Sequence, residues 1–150
     1  MIGDGSAFVV ALEKIRRTVT ELAQAPRRVA VIAAPKIDKL LRKQFTSGLN
    51  PYDRPWRPLL PSTLARGRRS PPLTDTRRLR AGTHATVSPG RRAGIQLIAG
   101  APYGAFHQVG FHVGRTRVGP RKIFPDVGLP KAWRQVLDDA ARTVARQARS

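Results

Sequence analysis

Residues 129–149 read LPKAWRQVLDDAARTVARQAR, and this stretch decides the class of fold. Trp133, Val136, Leu137, Ala140, Ala141, Val144 and Ala148 recur at the three- and four-residue spacing of one helical face. Asp138, Asp139, Arg142 and Arg146 fall on the other face, and Pro130 suits a first helical turn. Such a helix is stable only if its apolar stripe meets a partner. The segment before it supplies short β patterns. Thr83–Val87 and Gly94–Ala99 read as antiparallel strands around a Ser88-Pro89-Gly90 turn, and Gly110–Phe124 reads as a second hairpin. Tyr103–Val109 between them suits one or two helical turns.

Working further back, residues 48–75 change character. Prolines at 51, 55, 58, 61, 71 and 72 interrupt any regular period, so a long extended loop is expected. Tyr52 and Trp56 argue against plain disorder there, because large aromatic groups need burial. A neighbouring subunit is one place where Trp56 would find it. Thr74 or Asp75 is positioned to cap a short helix through Leu79.

The first 47 residues are helical in pattern. Phe8, Leu12, Ile15, Val19 and Leu22 are spaced by four and three, with Ser6 as a cap. Pro26 restarts the chain. Val29, Ile32 and Ala33 continue until Pro35 kinks it, and Ile37, Leu40, Leu41 and Phe45 resume the face, with Gly48 as the stop. Two helices are therefore expected, the second one kinked. The sum is an α+β fold in a single domain over 1–150: helical 6–47, an extended arm 48–75, a sheet region 83–126 and a C-terminal helix 129–149. Terminal amphipathic helices flank a small antiparallel sheet.

Charge narrows the function. The 150 residues carry 28 Lys and Arg against 9 Asp and Glu, a net +19. Such a field points to a polyanionic neighbour, DNA, RNA or an acidic protein surface. The cations are spread along the chain, which suits backbone contact better than base reading. Arg66, Arg68, Arg69, Arg115 and Arg117 are the candidate contacts to DNA or an acidic partner.

Chemistry finds little purchase. Cysteine is absent, which removes disulfides, thiolate metal sites and cysteine nucleophiles together. His84, His107 and His112 form no tight ligand motif, and Asp75 and Asp126 are the nearest acids. No nucleophile elbow or phosphate-binding glycine loop appears. No catalytic residue, metal or cofactor is expected. No apolar run reaches the length of a membrane span and no secretory signal is visible, so residence in a cytoplasm or a virion is expected.

Five motifs in order carry a resemblance. They are Gln44-Phe45 at a helix end; Asn50-Pro51 with Trp56-Arg57-Pro58-Leu59 and Thr63; Leu73-Thr74-Asp75-Thr76-Arg77-Arg78-Leu79-Arg80; Tyr103-Gly104-Ala105-Phe106-His107-Gln108-Val109-Gly110; and Pro120-Arg121-Lys122-Ile123-Phe124-Pro125. Over roughly residues 40–126 the chain resembles the phage virion morphogenesis family, which includes tail-completion proteins of contractile-tailed phages such as Mu. It departs from that pattern twice. Arg77 stands where the family tends to have glycine, and one extra residue separates Arg121 from its aromatic. A left-handed backbone at 77 would suit glycine and strain arginine.

The resemblance implies a non-enzymatic neck or tail-completion subunit that forms a ring, a hexamer by expectation, around the DNA channel at the head–tail joint. Neighbouring neck, connector and tail proteins would be its partners, the virion its location and the host cytoplasm its place of assembly. It implies Trp56, Leu59, Tyr103, His107, Gln108 and Arg121 as anchor points and subunit contacts. A tail terminator or head-closure adaptor is the nearest rival, and a non-specific DNA-binding protein the rival of another class.

Overall fold

The computed structural model describes residues 5–68, 72–73 and 77–149, the side chains of 5–9, 11 and 22 excepted. Nine elements follow in order. They are α1 (Gly5–Ser47), α2 (Pro61–Ala65), α3 (Arg78–Gly82), β1 (His84–Val87), β2 (Ile95–Ile98), α4 (Gly104–Val109), β3 (Phe111–Val113), β4 (Thr116–Val118) and α5 (Lys131–Gln147). The class is α+β as the patterns require. The strands form two separate two-stranded antiparallel sheets instead of one. His84 pairs with Ile98 in the first and Phe111 with Val118 in the second.

One expectation fails at the N-terminus. The first 47 residues hold not two helices but one helix of 43 residues, with Pro26 and Pro35 inside it. Ser6 consequently lies within the helix instead of capping it. A proline inside a helix removes one hydrogen bond and crowds the preceding turn. Both prolines here sit on the exposed side, so the freed carbonyls of Leu22 and Val31 are not shut away in the core. Packing carries the helix through: Ala30, Ala33, Ala34, Ile37, Leu41 and Phe45 are buried along one face. Gly48 then ends α1 at φ 70°, its amide donating to the Gln44 carbonyl at 2.8 Å.

That buried face receives α5 and β1. Ile37, Leu41 and Trp133 form one cluster, flanked by Leu97, Val136 and Leu137. Asp38 Oδ1 accepts the Ala85 amide at 2.9 Å and its other oxygen takes Arg42 Nε at 2.8 Å, which fixes β1 on the helix. Burial pulls the Asp38 carboxyl up, but the Arg42 hydrogen bond, the Ala85 amide and the charges of Arg42 and His84 outweigh it. It stays below the usual carboxylate range.

A second cluster joins Phe45, Trp56, Leu79, Ala101 and Ile123, and Phe124 packs against both clusters. The proline-rich arm is therefore tied to its own chain. Trp56 is 4% exposed, with its ring edge-on to Phe45 at 5.5 Å, and needs no neighbouring subunit for its burial. The arm is also less extended than expected. Leu49 bridges Pro55, Asn50 Oδ1 accepts the amides of Tyr52 and Arg54, and α2 forms a single turn or so with Pro61 at its start.

The helix read as capped by Thr74 or Asp75 is α3, and both of those residues lie outside the described ones. The residue before α3 is Arg77, held at φ 58° and ψ −7°. A left-handed backbone costs a side-chain-bearing residue about 1–2 kcal/mol. Glycine avoids that cost and regains part of it as unfolded-chain entropy. Arg77→Gly is expected to stabilise the fold by up to about 1 kcal/mol, raising Tm by about 2–4 °C. A thermal melt reads it directly, and a lower Tm would contradict the strain.

Candidate functional site

Four of the residues that the sequence singles out, Trp56, His107, Gln108 and Arg121, meet at one segment, 120–126. Trp56 Nε1 donates to the Lys122 carbonyl at 2.8 Å. Gln108 Oε1 accepts the amides of Ile123 and Phe124 at 2.9 and 3.0 Å, while its Nε2 donates to the Phe124 carbonyl at 2.8 Å. The Arg121 amide donates to the His107 carbonyl at 2.7 Å. The Arg121 side chain donates through Nε to the Arg57 carbonyl at 2.9 Å and through Nη2 to that of Pro58 at 3.3 Å. Three elements remote in sequence, the arm, α4 and the loop after β4, are thus clamped by side-chain to backbone bonds. Each such buried bond stabilises modestly when made and costs about 1–3 kcal/mol when one partner is removed.

Leu59, Tyr103, His107 and Arg121 line one cleft of about 560 Å³. Leu73, Phe111 and Val113 complete its apolar wall, and Arg68 and Arg78 stand at it as well. Trp56 and Gln108 do not line it; they hold it in shape from the core and the loop behind. Arg121 is 8% exposed, and among the described residues no carboxylate pairs with it. Burial, then the neighbouring Arg57 charge, lowers its pKa below the ordinary arginine value. Arginine stays protonated even so. Among the described residues the lining of the cleft is mostly apolar, with arginine and no carboxylate.

His107 stands between two rings, edge-on to Tyr103 at 6.0 Å and to Phe111 at 5.6 Å. Its Nδ1 is buried and finds no hydrogen-bond partner among the described residues. Burial, then the charge of Arg121, holds its pKa below the ordinary 6.5. The folded protein therefore binds fewer protons here than the unfolded chain. Stability contributed by the neutral ring is complete above pH 6.5 and declines as pH falls through 6.5 toward the depressed folded value. Urea midpoints measured from pH 7.5 to 5 should fall with acid, and His107→Gln should flatten that fall. An unchanged slope in the variant would remove His107 as its source.

Of the other candidates, Arg68 stands at the cleft, and Arg66, Arg115 and Arg117 are not among its described lining residues. Arg66 and Arg68 are exposed near α2, and Arg115 and Arg117 are exposed on the β3–β4 hairpin. Arg69 lies outside the described residues, as does Asp75. His84 Nδ1 is 2.9 Å from the Gly82 carbonyl and His112 is exposed on β3. Among the described residues no three His, Asp or Glu side chains gather as metal ligands. No helix among them is long and apolar enough to cross a membrane.

Two features had little signal in the sequence. Tyr52 Oη accepts the amides of Asp126 and Val127, both at 2.8 Å, and so closes the arm onto the same loop. Its only sequence sign was an aromatic in a proline-rich run. Phe106 and Val109 of α4 are 57% and 71% exposed, and the Phe106 ring meets the cleft residue Phe111 at 6.4 Å. A six-residue helix is too short for its two faces to be told apart by period alone. Set against protein-family models, curated proteins and solved structures, the chain matches none.

Proposed function

We propose that the chain is a structural subunit of a phage particle, a neck or tail-completion protein that forms a ring around the DNA channel where head and tail join. The observation that carries the proposal is the convergence of the six motif residues: Trp56, His107 and Gln108 bond to backbone of the 121–124 segment, and Leu59, Tyr103, His107 and Arg121 share one cleft. Four of them line an apolar cleft that holds Arg121, which pairs with no described carboxylate, and the exposed Phe106 meets the lining residue Phe111. Apolar surface next to buried positive charge suits an acidic protein neighbour, since the cation gains a partner and the apolar groups leave water. His107 supports this role through packing; no nucleophile or carboxylate stands within hydrogen-bond reach of its buried Nδ1 among the described residues.

The test is a phage genome in which this gene is stopped. Electron micrographs of the lysate should show filled heads and finished tails lying separately, and joined particles should return when the chain is supplied in trans. Normally joined particles without the protein would end the proposal. The exposed arginines at 66, 115 and 117 favour a second reading, a non-specific DNA-binding protein. That reading requires the lone chain to bind duplex DNA with affinity that falls steeply with salt.

A further inference from the structure

We infer that the outer half of α1 is a self-pairing seam, through which copies of this chain associate in parallel as a coiled coil. This names a contact behind the ring of the proposed function and rests on that reading only in the premise that copies meet.

The helix outlasts its partner. At 43 residues α1 is about 65 Å long, whereas the 17 residues of α5 span about 26 Å. α5 lies against α1 from Trp133 beside Ile37 and Leu41 to Gln147, whose Oε1 accepts Arg28 Nη2 at 2.9 Å. Thr18 and Glu21 still line a groove with Ala145 and Ala148, and from Gly5 to Arg17 the helix continues about 20 Å beyond that overlap. Its large apolar residues are in water: Val10 is 66% exposed, Leu12 50%, Ile15 61% and Val19 60%.

The pattern on the overhang says what covers it. Phe8, Leu12, Ile15, Val19 and Leu22 repeat every three and four residues, the 3.5-residue period of a coiled-coil seam and narrower than the stripe of a core helix. Of the described side chains, Leu12 and Val19 take one seam position and Ile15 the other. The flanks of the seam are Ala11, Thr18, Ala23 and Ala25 with one charge, Arg16. In parallel register Arg16 of one copy meets no like charge of the next. An antiparallel pairing centred on Ile15 would set Arg16 against Arg16, which repels.

Charge allows self-association here and scarcely elsewhere. Residues 5–25 hold three cations, Lys14, Arg16 and Arg17, against Glu13 and Glu21, so they carry +1 of the chain's +19. Both glutamates of the protein are in this segment, each four residues from Arg17 and on the side away from the seam. A helix meant for an acidic partner would show its cations at the seam's edge; this one is close to neutral.

The chain has no cysteine, so single cysteines report pairing cleanly. In the full-length protein under mild oxidation, Leu12→Cys and Val19→Cys are each expected to form disulfide-linked dimers, with Arg17→Cys on the outer side linking roughly tenfold more slowly. Ile15→Lys is expected to weaken self-association by about a hundredfold or more in sedimentation, because it buries a charge in the seam. Its melting curve at high dilution should match the parent's, since Ile15 touches no core cluster. Dimers that form equally at 12 and 17, or an oligomer that survives Ile15→Lys, would overturn the seam and leave the ring reading standing. A parent that remains monomeric at every concentration also overturns it, while the micrographs of head and tail still decide the function separately.

Discussion

Trp56→Ala is expected to destabilise the isolated protein by about 3–5 kcal/mol, a drop in Tm of about 10 °C or more. The indole is buried in the cluster of Phe45, Leu79 and Ile123. Removing it leaves a cavity that the arm cannot refill, because Asn50, Tyr52 and the Leu49–Pro55 bridge hold the surrounding loop. It also strands the Lys122 carbonyl, which accepts the indole N–H. Trp56→Phe separates the two losses: it retains most of the volume and forfeits the hydrogen bond, so about 1–2 kcal/mol should go. Chemical denaturation at high dilution, where any oligomer has dissociated, is the deciding measurement. If Trp56→Ala left the dilute protein unchanged, the residue's burial would belong to an assembly and not to its own chain.

Gly100→Ala should cost about 3 kcal/mol or more, through backbone and not side chains. A β-carbon there would lie 1.9 Å from the Gly82 α-carbon, and one on Gly82 would lie 2.3 Å from that of Gly100. The end of α3 and the turn after β2 touch main chain to main chain, and neither can yield by rotating a side chain. Gly82→Ala should therefore behave similarly. Each substitution forces the same separation, so the double variant should lose less than the two singles together. Melting curves of all three test this. A Gly100→Ala protein that melts with the parent would mean that the contact is not part of the native packing. The consequence for the cleft is direct, since Tyr103 and then α4 with His107 follow within a few residues of Gly100.

The sequence made some of this legible and hid the rest for physical reasons. The stripe from Trp133 to Val144 announced α5, because an amphipathic period needs nothing beyond its own segment. Both hairpins were visible for the same reason, their strands being close in sequence. Pro26 misled, because proline's local cost is fixed while the packing that overrides it comes from elements a hundred residues away. Residue 77 was marked as a place where glycine would be at ease, and the backbone there is left-handed with arginine in it. The site was legible as a set of residues and not as a geometry. Trp56, Gln108 and Arg121 were marked, but the clamp they form depends on which carbonyls stand opposite, and spacing along the chain does not encode that. The hydrogen bonds of Tyr52 and the exposure of Phe106 are hidden from the sequence on the same ground.

The long first helix has a mechanical consequence. One end is bolted into the body by Ile37, Leu41 and Phe45, and the other projects, so it works as a cantilever. Pro26 sits near the fulcrum and lacks the amide that would brace the turn below it. A sideways load on the free end is concentrated at that rung, which lets the beam flex there and spares the bolted end.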